Sequence, residues 1–217
     1  MFYINEIFAS IQGEGQNAGR PCVFVRFSGC NRACSFCDTQ HDQPRIPMSK
    51  EQIIAAVDLL DPIGTLPVCF TGGEPTLQLR GEILQLAGPL GLCRSLWLET
   101  NGDKPLSFGD LRFLDYVTVS PKISLTDLLL AWGASLTTQV NEIRLIWPHP
   151  VISGWEHLFI ELNKVPPHIP VYLSPQWNHM EPVLDTIQLA HEACIEGAKR
   201  GFNLRLSVQA HKFWRIP

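Results

Sequence analysis

The chain has 217 residues, 45% hydrophobic and 18% charged, with a formal net charge of −4. That balance fits one folded domain spanning residues 1–217. The lack of any polybasic run or basic-aromatic interleaving excludes a protein that grips nucleic acid mainly through phosphates.

The opening MFYINEIFASIQGEG carries Glu6 where a signal peptide needs an unbroken apolar stretch, and no apolar run reaches the roughly 18 residues of a membrane span. A cytoplasmic protein acting on a small molecule, without direct contact to nucleic acid or membrane, is expected. Seven cysteines are an odd number, and in a reducing compartment a tight cysteine cluster points to a metal or redox site rather than a disulfide framework.

In chain order, Cys22 to Ser28 (CVFVRFS) reads as a strand. Its alternation puts Val23, Val25 and Phe27 on one face and Phe24, Arg26 and Ser28 on the other. Ser49 to Leu60 reads as a helix, opened by a capping box of Ser49 with Gln52 and closed near Pro62. Val68 to Thr71 is a strand and Leu77 to Leu90 a helix ending at Gly91. Leu96 to Glu99, Tyr116 to Ser120, Glu142 to Ile146 and Val171 to Ser174 are further strands, separated by segments long enough for crossover helices. A helix from Glu181 to Lys199 precedes a last strand, Asn203 to Val208. Such alternation predicts a parallel sheet, and six units are too few for a full barrel, so the expected α/β architecture is a partial, open (β/α)6-type barrel with a short N-terminal extension and a C-terminal strand and tail. Barrels of this type carry their chemistry in the loops after the strands. Here those loops hold Cys30, Cys34 and Cys37; Thr71 to Pro75; Thr100 to Gly102; Ser120 to Lys122; and Ser174 to Trp177.

Three cysteines within SGCNRACSFCDT are one too few for a structural zinc ion or a saturated iron-sulfur cluster, whereas three thiolates on a four-iron cluster leave one iron open to a small molecule. A zinc site completed by a fourth ligand such as His41, or a set of inert thiols, is the rival reading. The spacing Cys-x3-Cys-x-aromatic-Cys, with Phe36 as the aromatic, resembles the radical S-adenosylmethionine superfamily. That resemblance implies a 4Fe-4S cluster on Cys30, Cys34 and Cys37 whose open iron chelates S-adenosylmethionine, which is reductively cleaved to an adenosyl radical. Thr71-Gly72-Gly73-Glu74-Pro75 strengthens it, since two glycines after an apolar strand allow close backbone approach and the superfamily uses this segment against the methionine ammonium. Cys22, Cys69, Cys93 and Cys194 read as small buried hydrophobes.

Both chain ends narrow the resemblance. Glu6 to Gly15 (EIFASIQGEG), Cys37-Asp38-Thr39, Val119 to Lys122 (VSPK) and Gln209 to Pro217 (QAHKFWRIP) resemble the family of 7-carboxy-7-deazaguanine synthases. Members convert 6-carboxy-5,6,7,8-tetrahydropterin to 7-carboxy-7-deazaguanine with loss of ammonia, on the way to queuosine-type tRNA nucleosides, and are commonly homodimers reduced by a partner such as flavodoxin. The resemblance implies substrate contacts from Ile11, Gln12, Gly13, Glu14, Arg26, Thr71, His211 and Pro217, and a Mg2+ ion on Thr39. It places S-adenosylmethionine against Phe36, Asp38, Gly73, Glu74, Ser120, Pro121, Lys122, Ser174, Pro175, Gln176 and Trp177.

Several of these positions have plainer readings. Arg26, with apolar neighbours on its strand, needs an anionic partner, which is either the substrate carboxylate or an acidic side chain. Gln12 to Gly15 also suits an ordinary polar turn, Thr39 a cap of the cluster loop, His211 a solvent-exposed site and Pro217 a frayed end. Glu99 and Thr100 end a strand where the superfamily resemblance implies a group near the ribose, whereas a strand-end glutamate is commonly just solvated. Some family members carry a long insertion between the first two cluster cysteines, which this chain lacks. An activating enzyme that installs a glycyl radical on a partner protein is the alternative within the superfamily.

Overall fold

The computed structural model describes residues 1–37, 39, 44–178 and 181–216. The chain opens with a ten-residue strand, β1 (Phe2–Ile11), followed by β2 (Pro21–Phe27) and the short β3 (Ile46–Met48). Helix α1 (Lys50–Leu60) leads into β4 (Val68–Gly72), α2 (Thr76–Leu79) and α3 (Ile83–Leu90). Strands and helices then alternate through β5 (Leu96–Thr100), α4 (Phe108–Leu111), β6 (Tyr116–Val119), α5 (Leu125–Trp132), α6 (Ala134–Gln139), β7 (Glu142–Trp147) and α7 (Gly154–Leu162). After β8 (Val171–Pro175) come a small hairpin, β9 (Trp177–Asn178) with β10 (Glu181–Pro182), then α8 (Leu184–Lys199), β11 (Leu204–Leu206) and α9 (Ala210–Trp214).

One nine-stranded open sheet runs in the order β11-β8-β7-β6-β5-β4-β2-β1-β3. From β2 to β11 the pairings are parallel, while β1 is antiparallel to both β2 and β3. This is the open α/β barrel expected from the alternation. Alternate residues split the strands into two faces. Val23, Val25, Phe27, Phe70, Leu98, Val117, Val119, Ile143, Leu145 and Leu173 are fully buried with helix residues such as Ile53, Val57, Leu86 and Leu128 in one apolar core. On the other face Cys22, Phe24, Cys69 and Trp97 form a separate small cluster, packed by Phe8 and Tyr116, that floors the barrel interior.

Helix α1 begins as its capping box predicts: Gln52 N donates to Ser49 Oγ and Ser49 N to Gln52 Oε1, while Ile53 and Val57 turn to the core. Three expectations change. The predicted helix from Leu77 to Leu90 is two helices, because Arg80 leaves helical geometry (ψ 116°) and Gly81 (φ 71°) turns the chain while its N–H goes to Asp110. The predicted helix from Glu181 starts later, since Glu181 and Pro182 pair with Asn178 and Trp177. The N-terminal extension is the longest strand in the sheet. A register shift between Ile4 and Glu6 interrupts its period-two pattern, which is why alternation did not reveal it.

Candidate functional site

A cavity of about 360 Å³ opens at the carboxyl ends of the parallel strands. Cys30, Cys34, Phe36, Cys37 and Thr39 line one side of it. Arg32 N donates to Cys30 Sγ at 3.4 Å, Asn101 Nδ2 donates to the same sulfur at 3.9 Å, and Cys37 N donates to Cys34 O at 3.1 Å. The loop is clamped to the loop after β5 by Arg32, whose Nε and Nη2 reach Asp103 at 2.5 and 2.9 Å, and by Asn31 Nδ2, which reaches Asp103 at 2.9 Å. Among the described residues no three Cys, His, Asp or Glu side chains meet at the spacing of a single ion. Three thiols on one cavity wall can each take a separate iron of a four-iron cluster and leave the fourth open. His41, Asp38 and Pro217 lie outside the described residues.

The remaining wall collects most of the other predicted residues. Ile11, Gln12, Gly13, Glu14, Arg26, Thr71, Gly73, Ser120, Lys122, Ser174, Pro175, Trp177 and His211 all line it. Gly72 explains the double glycine: at φ 128° a side chain is strained, and a Cβ would sit 2.3 Å from Phe27 O, so the β2–β4 contact that closes under Gly73 needs glycine. Lys122 turns back to Ser120, donating to its O at 2.6 Å and its Oγ at 2.9 Å, and burial pulls its ammonium below the usual lysine range. Ser174 Oγ is buried with no hydrogen-bond partner among the described residues, and it lies on the cavity wall.

Glu74, Pro121 and Gln176 depart from expectation: none lines the cavity. Glu74 is fully buried and accepts from Thr76 N and Oγ1, Thr100 Oγ1 and Asn101 N, tying the loop after β4 to that after β5. Burial pushes its carboxyl above the ordinary value in spite of those bonds. Pro121 O takes the Nε2 of buried His149, whose ring burial depresses to about 4. Gln176 Nε2 donates to Pro148 O, and its backbone N to Thr186 Oγ1. All three brace loops. Among the other cysteines, Cys22 and Cys69 are buried, with both thiols pushed up by burial, but Cys93 is exposed.

The segment Gln12 to Gly15 is a knot rather than a free turn. Gln12 Nε2 donates to Glu99 at 3.0 Å, and Gln12 Oε1 accepts from Glu14 N at 3.1 Å. A Cβ on Gly13 would lie 1.9 Å from His211 Nδ1, and one on Gly15 (φ 68°) would lie 2.2 Å from Glu142 Oε1. Glycines here admit the C-terminal tail, whose Ala210 N donates to Gly13 O at 3.0 Å, while Gly15 N donates to Ser207 Oγ. Phe213 meets Trp177 edge-on, with ring centroids 5.0 Å apart, although Phe213 and Trp214 are both exposed.

Arg26 has its acidic partner, Glu6, at 2.8 Å through Nε, and its guanidinium lies 5.4 Å from the Phe8 ring. A second arginine escaped sequence reading. Arg144 of β7 is buried on the inner face and lines the cavity, with Glu14 at 3.2 Å, Glu142 at 3.0 Å and a close pairing to Glu99. Thr71 Oγ1 also donates to Glu99, at 2.8 Å. Burial alone would raise the Glu99 carboxyl, but the Arg144 charge and the bonds from Arg144, Thr71 and Gln12 win, holding it below the ordinary value. The strand-end glutamate is thus heavily connected. The alternation in EIRLIW, read as CVFVRFS was, would have marked Arg144 as a charge between apolar neighbours.

The Radical SAM superfamily profile matches residues 24–124. The chain is 38% identical to the 7-carboxy-7-deazaguanine synthase of Bacteroides thetaiotaomicron, over 73% of this chain and 80% of that one. It is 32% identical to the namesake from Rhodospirillum rubrum, over 99% and 92% of the two chains, and 31% identical to that from Burkholderia multivorans, over 100% and 99%. In fold it resembles the crystal structure of QueE from Escherichia coli, with a TM-score of 0.66, 23% identity and coverage of 97% of this chain and 94% of that one. With its cysteine loop opening onto a cavity that both chain ends help to wall, and with relatives matching it end to end, the chain belongs to the 7-carboxy-7-deazaguanine synthase family of radical SAM enzymes.

Proposed function

We propose that the protein converts 6-carboxy-5,6,7,8-tetrahydropterin to 7-carboxy-7-deazaguanine with loss of ammonia, for 7-deazapurine nucleosides of tRNA. The observation that carries this reading is that Cys30, Cys34 and Cys37 share one cavity with Arg26 and the residues of both chain ends. The three thiols fit a 4Fe-4S cluster with one open iron, and the orphaned Ser174 Oγ beside Ser120, Lys122, Gly73 and Trp177 fits a polar cofactor, S-adenosylmethionine. When bound, this pair supplies one-electron reductive cleavage of a sulfonium.

The chain's own residues bind, orient and shield. Arg26 takes the substrate carboxylate, for which the planar guanidinium is well shaped, with Glu6 holding Nε so that the Nη pair points as a fork. Ile11, Gln12, Gly13, Glu14, Thr71 and His211 line the pterin, and Phe36 and Pro175 cover the cofactor. Thr39 offers an oxygen ligand to Mg2+, a hard ion that retains waters. A reducing partner such as flavodoxin and a homodimeric state belong to the same proposal. So does a cytoplasmic location, where reducing conditions keep the three cysteines in the thiol state that a cluster needs. No helix among the described residues is long and apolar enough to cross a membrane. The activating-enzyme alternative has no observation in its favour, because the knot at Gln12 and helix α9 stand in the cavity wall where a protein loop would have to enter.

The test is anaerobic turnover with cluster-reconstituted protein. Product of the mass of 7-carboxy-7-deazaguanine should appear only with reductant and S-adenosylmethionine, and faster with Mg2+. Cleavage of S-adenosylmethionine with no pterin product overturns the reading, and colourless anaerobic protein with stoichiometric zinc overturns the cluster.

A further inference from the structure

In the cavity wall, one guanidinium faces three carboxylates. Arg144 Nη1 donates to Glu14 at 3.2 Å, Nη2 donates to Glu99, and Nε lies 3.0 Å from Glu142 Oε1 without hydrogen-bond alignment. Glu142 is held from the other side by Tyr116 OH, Thr118 Oγ1 and Gln16 N at 2.9, 3.1 and 2.8 Å. Strand register makes this a row: Arg26 pairs with Thr71, Glu99 with Thr118, and Thr118 with Glu142. The other charged or titratable groups around it are Lys122, Arg26, Cys22, Cys69, Tyr116 and Tyr172, with His211 against Gly13.

We infer that Arg144 is a positioning residue: by gripping Glu14 and Glu99, it sets the hydrogen-bond polarity of Gln12 and Thr71 in the wall that meets the substrate.

The bookkeeping of donors shows how. A carboxylate can only accept, so Glu99 obliges Thr71 to give it the hydroxyl hydrogen. Thr71 Oγ1 then turns lone pairs, not a hydrogen, toward the cavity. The same carboxylate draws Gln12 Nε2, and Glu14 N takes up Gln12 Oε1, so the amide cannot flip without breaking both contacts. Gln12 is left with one spare N–H and Thr71 with an acceptor. The wall is therefore built for a ligand that offers an N–H to Thr71, as the N3–H and amino group of a pterin do whether the ring is reduced or oxidised. Without Arg144, only the bonds from Thr71 and Gln12 oppose burial at Glu99, so its carboxyl moves toward the protonated form, and a protonated Glu99 donates where it had accepted. The hydroxyl of Thr71 is then released to point either way.

The inference rests on the pterin reading, and the test separates the two. Oxidised 6-carboxypterin, a fluorescent compound that cannot undergo the reaction, serves as probe, titrated anaerobically into cluster-loaded protein across about pH 6 to 8. Wild type should bind it with affinity nearly constant over that range. Arg144→Met should bind at least about tenfold more weakly at neutral pH, the size of a lost hydrogen bond to a charged group, and its affinity should vary with pH as Glu99 titrates. Arg144→Lys should recover part of the affinity and most of the flat profile. Glu99→Gln should lose affinity without acquiring a pH dependence, and adding Arg144→Met to it should cost less than Arg144→Met alone, because the two act in series. If the Arg144 variants keep wild-type affinity and a flat profile, or if the two losses simply add while only thermal stability changes, Arg144 is structural and the inference fails alone. A wild type that ignores the probe removes the pterin reading and the inference with it.

Discussion

On their outer face β2, β4, β5, β6, β7 and β8 present Val25, Phe70, Leu98, Val117, Leu145 and Leu173, all fully buried under the helices, while the neighbouring inner positions present Arg26, Thr71, Glu99, Thr118, Arg144 and Ser174. The backbone is shared, yet the two faces obey different physics. Apolar burial is non-directional, so the outer face needs volume and shape and admits many solutions. The inner face is governed by charge and by which atom donates, so one altered group propagates through Arg144, Glu99, Gln12 and Thr71. Stability is concentrated outside and chemistry inside.

The sharpest way to break that contrast is at the cavity mouth. Cys34→Ala should abolish iron and sulfide retention and bring turnover to the detection limit, while thermal unfolding of the metal-free chain moves little. Turnover surviving in that variant would remove the cluster assignment. Next in size is the outer face, where Leu98→Ala should cost about 2–5 kcal/mol in urea unfolding through transfer and cavity terms. The fraction still folded should bind 6-carboxypterin as before, and weakened binding there would show that the faces are coupled. Gly13→Ala drives a methyl into the His211 ring, an overpacking worth about 1–3 kcal/mol. It should appear as reduced pterin affinity with the cluster spectrum intact, and His211→Ala in the same background should relieve it.

Smaller effects sharpen the comparison through pH. Glu99 has a folded value below its unfolded one of about 4.3, so its ionisation adds stability that is present above that value and lost as pH falls through the folded one. Glu74 is displaced the other way, so its contribution is present below about pH 4.3 and lost as pH rises through its raised folded value. In urea melts, the difference between wild type and Glu99→Gln should shrink toward acid, and that between wild type and Glu74→Gln should move the opposite way. Parallel slopes would contradict the assigned environments. Smallest of all, Ser49→Ala removes the α1 cap far from the cavity and should cost about 1 kcal/mol with turnover unchanged.

Much of this was legible beforehand. The cysteine spacing, the double glycine and the alternation of CVFVRFS depend on local geometry, and they led to the right strands, loops and end of the barrel. The alternation of EIRLIW marks Arg144 as a charge between apolar neighbours, but not the three carboxylates that it meets, which come from other segments or from a face-mate two residues away. The motif places Glu74 beside the glycines, but not its bonds to Thr100 and Asn101, which strand pairing brings to it. The bonds that knot Gln12 are not legible beside its motif because Glu99, Arg144 and His211 are distant in sequence.

Sequence alone determined whatever follows from periods and spacings along a few residues: the alternating α/β order, the helix caps, the three thiols and their loop. Tertiary structure decided strand register, and with it which charges share the interior, why two glycines must admit a histidine and a glutamate, and which oxygen each hydrogen seeks. The division has a physical origin. Steric and hydrophobic preferences act within a turn or two of the chain, whereas a buried charge must find its partner wherever the fold brings one.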